Sequence, residues 1–207
     1  MNKTKFNWIS DGWIRVKNHC RTTVRKEFTD KEPSDTFKKK LLIAEHSPIR
    51  LLEFDWTWKE IPYYVAMEWA RHKFEKFISS QRNDRQNEYN RNAARQDTPV
   101  IFDGYANMQN LIDAWRKRLC YQATTEARGF AEDFKIELRK THPFESDVLV
   151  PNCIYRAGCP EMHSCGMWDR FTEWVMYESE YELSELDEID KRYELYNEWF
   201  YEERQGE

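Results

Sequence analysis

The residues Glu68-Trp69-Ala70-Arg71-His72-Lys73 end an apolar run in clustered cations, and Phe77-Ile78-Ser79-Ser80-Gln81-Arg82-Asn83-Asp84-Arg85 follows with hydroxyls and further arginine. Guanidinium groups bind anionic oxygens bidentately and hydroxyls add orienting hydrogen bonds, so this pattern suits a phosphorylated or otherwise anionic ligand. Taken alone, the same residues also fit a helix end with a solvated charged face. A second group, Cys153-x5-Cys159-x3-His163-x-Cys165, puts three thiols and one imidazole within thirteen residues, beside the turn-forming Gly158-Cys159-Pro160 and Cys165-Gly166. Three Cys and one His make a structural zinc set, though the short C-x2-C knuckle is absent. The alternative is a reduced, partly buried cysteine-rich turn.

The elements that position these residues belong to a chain of 207 residues, long enough for one domain with its own core over residues 1–207. Aromatic residues make up 15% of it, so the chain is expected to fold despite its 33% of charged residues. A net charge of -5 argues against bulk nucleic-acid binding, including single-strand binding through Arg82 to Arg95, and leaves room for a small anion in a local basic pocket. The N-terminal residues have no apolar core of a leader, and no apolar run approaches the roughly 18 residues that span a bilayer, so a soluble, cytoplasmic protein is expected, with no membrane partner. The five cysteines are an odd number in such a chain, which favours reduced thiols or a metal over a disulfide framework. Cys20 and Cys120 read as small core hydrophobes, and His19 and His142 have no partner constellation.

Along the chain, residues 6–16 alternate loosely around Asp11-Gly12 and predict a short strand pair. Ser34 is the N-cap of a helix carrying Phe37, Leu41 and Leu42, which ends near Glu45-His46-Ser47-Pro48. Residues 49–58 predict a strand whose face is Phe54, Trp56 and Trp58. Pro62 opens a helix through Ala70 with Val65, Met67 and Trp69 available to pack, and Arg71-His72-Lys73 falls in or beyond its last turn, where the helix dipole favours cations. Residues 81–98 are a long polar loop ending at Thr98-Pro99. From Ala106 to Lys140 the spacing is helical, with a break near Thr124-Thr125, and Thr141-His142-Pro143 ends the second helix. Residues 168–207 form an acidic helical region, one helix or two, presenting Glu178, Glu180, Glu182, Glu185 and Glu188 outward.

The order Glu45-His46-Ser47-Pro48-Ile49-Arg50, an aromatic strand, Pro62, Glu68-x-x-Arg71-His72-Lys73 and Ser80-x-Arg82 resembles the flavin-dependent thymidylate synthases, the ThyX family. The likeness covers residues 10–100 best. It implies an α/β chain of the α+β kind, with a central, mostly antiparallel sheet and flanking helices. By this resemblance Arg71, His72 and Lys73 match the family's R-H-R, which contacts flavin and nucleotide. Glu68 falls on its nucleotide-binding glutamine, and Ser80 and Arg82 on residues that hold deoxyuridylate. Ser47, with His46 beside it, falls near the flavin. The family's N-E pair falls on Ile78 and Ser79, and the spacing from Arg71 to Ser80 is one residue shorter. In the C-terminal third, Val150-Pro151 resembles the family's L-P and Arg170 lies where its nucleotide-activating arginine falls, whereas its N-x-R-x-x-x-N corresponds to Cys159-x-Glu161-x-x-x-Cys165. The implied reaction is reductive methylation of dUMP to dTMP, with FAD as cofactor, methylenetetrahydrofolate as one-carbon donor and NADPH as reductant. Arg170 and Ser80 are then the residues expected at the chemistry, in a homotetramer whose sites draw on several subunits. Two other readings stay open: one-carbon modification of a pyrimidine deoxynucleotide to another product, and a catalytically silent module that binds a nucleotide or a protein.

Overall fold

The computed structural model describes residues 4–8, 12–85 and 89–205. It is a mixed α/β structure built on one four-stranded sheet, β1 (Thr4–Trp8), β2 (Glu53–Pro62), β3 (Glu75–Ile78) and β4 (Pro99–Asn107), in the order β1-β2-β4-β3 with every pair antiparallel. The helices are α1 (Gly12–Thr23), α2 (Asp35–Ile43), α3 (Tyr63–Trp69), α4 (Met108–Arg118), α5 (Thr125–Arg139), α6 (Pro143–Asp147), α7 (Asn152–Arg156), α8 (Met167–Tyr177) and α9 (Ile189–Gln205). No described helix is long and apolar enough to cross a membrane.

The sheet is organised by the alternation in β2. Phe54, Trp56 and Trp58 all point to the covered face, as the period of two requires. Across the sheet they oppose Ala106, Gly104 and Phe102. Above them Trp58 meets Trp69 of α3 at 4.8 Å and Phe130 of α5 at 5.4 Å, and Trp115 of α4 meets Phe134 of α5 at 4.2 Å between ring centroids. These are the tilted and edge-on arrangements that aromatic quadrupoles favour. Gly104 is required by this packing, because a Cβ there would lie 2.2 Å from the Trp56 ring. The other sheet face leaves Phe77 69% and Ile101 47% exposed.

Ser34 caps α2 as expected, accepting from the Phe37 amide at 3.3 Å, and Thr124 caps α5 in the same way. Four expectations are corrected. The strand pair over 6–16 is one strand followed by α1: β1 takes its partner from β2, and Trp13 and Val16, three residues apart, bury one face of a helix. Asp11 lies outside the described residues. Residues 47–51 form a 3-10 turn, so β2 starts at Glu53 and runs to Pro62. Met67 is 44% exposed, because Val65 and Trp69 are four residues apart on one helix face and Met67 lies opposite. Finally, β3 comes from the stretch read as a polar segment, and Ala106 and Asn107, expected to be helical, end β4, a central strand. The acidic C-terminal region is two helices, α8 and α9, joined through a 3-10 turn at Leu183–Asp187. Buried Arg192 ties α9 and this turn to α7 by donating to the carbonyls of Ile154, Leu186 and Tyr155.

Candidate functional site

Because α3 stops at Trp69, Arg71, His72 and Lys73 lie beyond the helix, in the turn that leads into β3. The turn is held by α4. Arg118 donates through Nε to His72 Nε2 at 2.8 Å, through Nη1 to Glu68 Oε2 at 2.8 Å, and through Nη2 to the Glu68 carbonyl at 2.7 Å. Thr124 donates its hydroxyl to Glu68 Oε1 at 3.0 Å, which completes that carboxylate. His72 is thus an acceptor at Nε2, the neutral tautomer with its proton on Nδ1. Its pKa is lowered to about 4, first by burial and then by the charges of Arg118 and Lys76. The ring is packed against Trp69 and parallel to Phe74. Glu68 and His72, both expected to meet ligand, are engaged here within the protein.

The cations left over face two cavities. One, of about 250 Å³, is lined by Arg71, His72, Lys73 and, from α4, Asn110, Asp113 and Ala114. The other, of about 490 Å³, is lined by Lys73, Lys76, Phe74 and Tyr105 together with Glu53, Glu75, Ala106, Asn107 and Asn110. Lys73 and Asn110 belong to both, so the two adjoin. Arg71 and Lys73 are exposed and form no ion pair with a described carboxylate, whereas Lys76 donates to the His72 carbonyl at 2.7 Å. The result is a patch in which Arg71, Lys73 and Lys76 stand among the carboxylates of Glu53, Glu75 and Asp113, beside an amide and an aromatic ring. This donor set fits the phosphates of a nucleotide or of a flavin dinucleotide, and Phe74 and Tyr105 supply an aromatic wall.

The His46-Ser47 corner is exposed and joins the site indirectly. Its neighbour Glu45 is bonded by Arg116 and by Gln109 at 2.7 Å, and Gln109 also donates to Asp113 at 3.3 Å. Ser80 and Arg82 lie past the far end of β3, whose residues Glu75–Ile78 separate them from Lys73. Ser80 Oγ accepts from the Arg82 amide at 3.2 Å, and Arg82 pairs with Asp84 at 2.6 Å. Arg170, on α8, pairs with Glu203 at 2.6 Å and shares a pocket with Glu173, Glu178 and Glu202. Within one chain, therefore, Arg71, His72, Lys73 and Glu68 come together, while Arg82 pairs with Asp84 and Arg170 with Glu203.

The expected zinc set does not assemble: among the described residues no group of three or more His, Cys, Asp or Glu is placed to hold a metal ion. Cys153 points into the core with its sulfur 4.0 Å from that of Met167, and burial pushes its thiol up to about 12. Cys159, His163 and Cys165 stay in the following loop, where Gln122 holds the His163 carbonyl. All five cysteines are free thiols.

The decisive residues missed by spacing are on α4. Asn110 and Asp113 are three apart on one face and Arg118 ends the helix, a signal present in the sequence but uninformative until that helix is laid against residues 68–73.

No protein-family profile and no curated protein matches the sequence. Among solved structures the chain is similar to the UMP/dUMP methylase PolB from Streptomyces cacaoi bound with 5-Br dUMP, at TM-score 0.55 and 11% identity, over 70% of this chain and 94% of that one. It is also similar to the flavin-dependent thymidylate synthase ThyX from Helicobacter pylori complexed with FAD and dUMP, at TM-score 0.56 and 14% identity, over 68% and 97% of the two chains. The antiparallel sheet with its flanking helices is a ThyX-like fold, shared with both neighbours over nearly their whole lengths.

Proposed function

We propose that this protein is a nucleotide-modifying enzyme that binds a pyrimidine nucleoside monophosphate of the dUMP class and takes part in one-carbon transfer to its C5. The observation that carries this reading is the pair of adjoining cavities lined by Arg71, Lys73 and Lys76, in a fold shared with two proteins solved with such nucleotides. Arg71 and Lys73 supply charge-assisted donors to phosphate oxygens. Asn110, with both a donor and an acceptor, suits the edge of a uracil ring. The Arg118 bridge to Glu68 and His72 fixes the turn, so the cations are presented without reorganisation.

FAD, bound in the adjoining cavity, would supply hydride chemistry, with methylenetetrahydrofolate as one-carbon source and NADPH as reductant. Ser80, Arg82 and Arg170, and the Ser47-His46 corner, would complete the site across subunits of a cytoplasmic homotetramer. Such assembly would also cover Phe77 and Ile101 on the open sheet face. A second reading, a one-carbon product other than dTMP, is favoured by one observation: Glu68 and His72 are occupied by Arg118 and so are withdrawn from cofactor contact.

The test is incubation with dUMP, methylenetetrahydrofolate, NADPH and FAD, followed by mass analysis of the nucleotide. A methyl group gained at C5 supports dTMP formation, and any other one-carbon adduct supports the second reading. An unchanged nucleotide, under conditions where the protein binds it, leaves a catalytically silent nucleotide-binding module.

A further inference from the structure

The loop between α7 and α8, residues 157–166, is laid back on the C-terminal end of α4. It opens at Ala157 and closes at Gly166, both in the left-handed region. Side chains from each segment lace the two together. Lys117 pairs with Glu161 at 3.1 Å, Gln122 donates to the His163 carbonyl at 2.9 Å, and in the same strap the thiols of Cys120 and Cys165 meet in a hydrogen bond. Cys120, expected as a small core hydrophobe, is instead partly exposed at the helix end, and so is Cys165 on the loop. The other thiols differ. Cys153 is buried against Met167, and Cys20 stands on α1.

Two thiols in contact, on segments already held together by neighbouring polar contacts, have the proximity that a disulfide demands. We propose that Cys120 and Cys165 are a thiol–disulfide couple, closed by a small-molecule disulfide of the glutathione class, which fastens this loop covalently to the end of α4. The thiolate of one cysteine attacks a sulfur of glutathione disulfide, expels one glutathione thiolate and leaves a mixed disulfide on the protein. The thiolate of the other then attacks the protein sulfur of that intermediate, which forms the Cys120–Cys165 bond and expels the second glutathione. The cysteines give up two protons and two electrons, and one glutathione disulfide becomes two glutathione thiols. Burial, and then the neighbouring Cys165 and Glu161, raise the Cys120 thiol, which suits it to the second step, where its target is already beside it. The link closes two residues from Arg118, so it also fixes the end of the helix that carries the Glu68–His72 clamp.

The test is equilibration of the whole protein in buffers of rising glutathione disulfide to glutathione ratio, blocking of the remaining thiols with iodoacetamide, and peptide mass mapping, with melting temperature measured on each sample. One intramolecular disulfide joining Cys120 to Cys165 is expected, reversed by excess glutathione, with a melting temperature at least about 4 °C above that of the reduced protein. Cys120→Ser and Cys165→Ser should each abolish both the link and the shift, and the loop variant Cys165→Ser gives the reading if the helix-end variant does not fold. Cys159→Ser and Cys20→Ser should leave both in place. A disulfide mapped to Cys159, Cys153 or Cys20, glutathione adducts that do not resolve to the internal link, thiols that stay free in glutathione disulfide alone, or a melting shift that persists in Cys165→Ser would overturn the proposal.

Discussion

Replacing Arg118 by Gln removes the clamp while keeping a polar side chain of similar reach. Three hydrogen bonds are lost, two of them to Glu68, and the Glu68 carboxylate is left with Thr124 alone. Breaking a buried pair from one side costs about 3–5 kcal/mol. Here the two side chains keep 14% and 21% exposure, so solvent relieves part of that, leaving about 2–3 kcal/mol. At about 2–4 °C per kcal/mol for a chain of this size, the melting temperature should fall by about 4–12 °C. His72 provides an independent readout. Without Arg118 it loses one of the charges that depress it and gains an unneutralised carboxylate nearby, so its pKa must rise from about 4. Scanning calorimetry with NMR titration of the His72 ring measures both effects. A variant that melts within 1–2 °C of the parent, with His72 titrating as before, would refute the clamp as the element that holds the turn.

Other outcomes follow from the same structure. Gly104→Ala should cost at least about 1–3 kcal/mol, because the added Cβ meets the Trp56 ring, whereas Gly129→Ala, with nothing within 4 Å, should gain about 0.5–1 kcal/mol as a helix-interior Gly; chemical denaturation measures both. Since His72 titrates near 4 when folded and near 6.5 when unfolded, the unfolded chain binds more protons between these values, and stability should fall as pH drops through that window, a trend flattened in His72→Gln. Buried Lys135, lowered to about 7 chiefly by desolvation, has the same sign higher up: stability should rise as pH increases from about 7 toward 10.5, and Lys135→Met should abolish that slope. Cys153 should be the last thiol to react with iodoacetamide at neutral pH, measured by peptide mass mapping, since burial keeps its thiolate scarce.

What the sequence makes legible is what depends on near neighbours. Ser34 and Thr124 cap helices because their partners are three residues away, and Phe54, Trp56 and Trp58 announce a buried face by alternation alone. The R-H-R-like turn is recognisable by order, and the antiparallel sheet with flanking helices follows from the resemblance it carries. By contrast, β4 hides its alternation of Val100, Phe102 and Ala106 because the fourth inward position is Gly104, which follows Asp103 as a turn-forming pair. The hairpin read around Asp11-Gly12 fails because β1 finds its partner some fifty residues on, in β2. Long-range choice also explains the site. Whether Glu68 and His72 face a ligand or an internal cation is decided by Arg118, 46 and 50 residues distant, and no local pattern records that pairing. The three thiols and His163 are close in sequence, yet α7 turns Cys153 inward toward Met167 while the others remain in a loop.

The most direct test of the account is calorimetric titration of dUMP and of deoxyuridine into the FAD-supplemented protein and into Arg71→Gln/Lys73→Gln. The account predicts that dUMP binds, that the nucleoside lacking the phosphate binds at least about tenfold more weakly, and that the double variant loses this phosphate preference. Equal affinity for dUMP and deoxyuridine, or dUMP binding unchanged in the double variant, would contradict it.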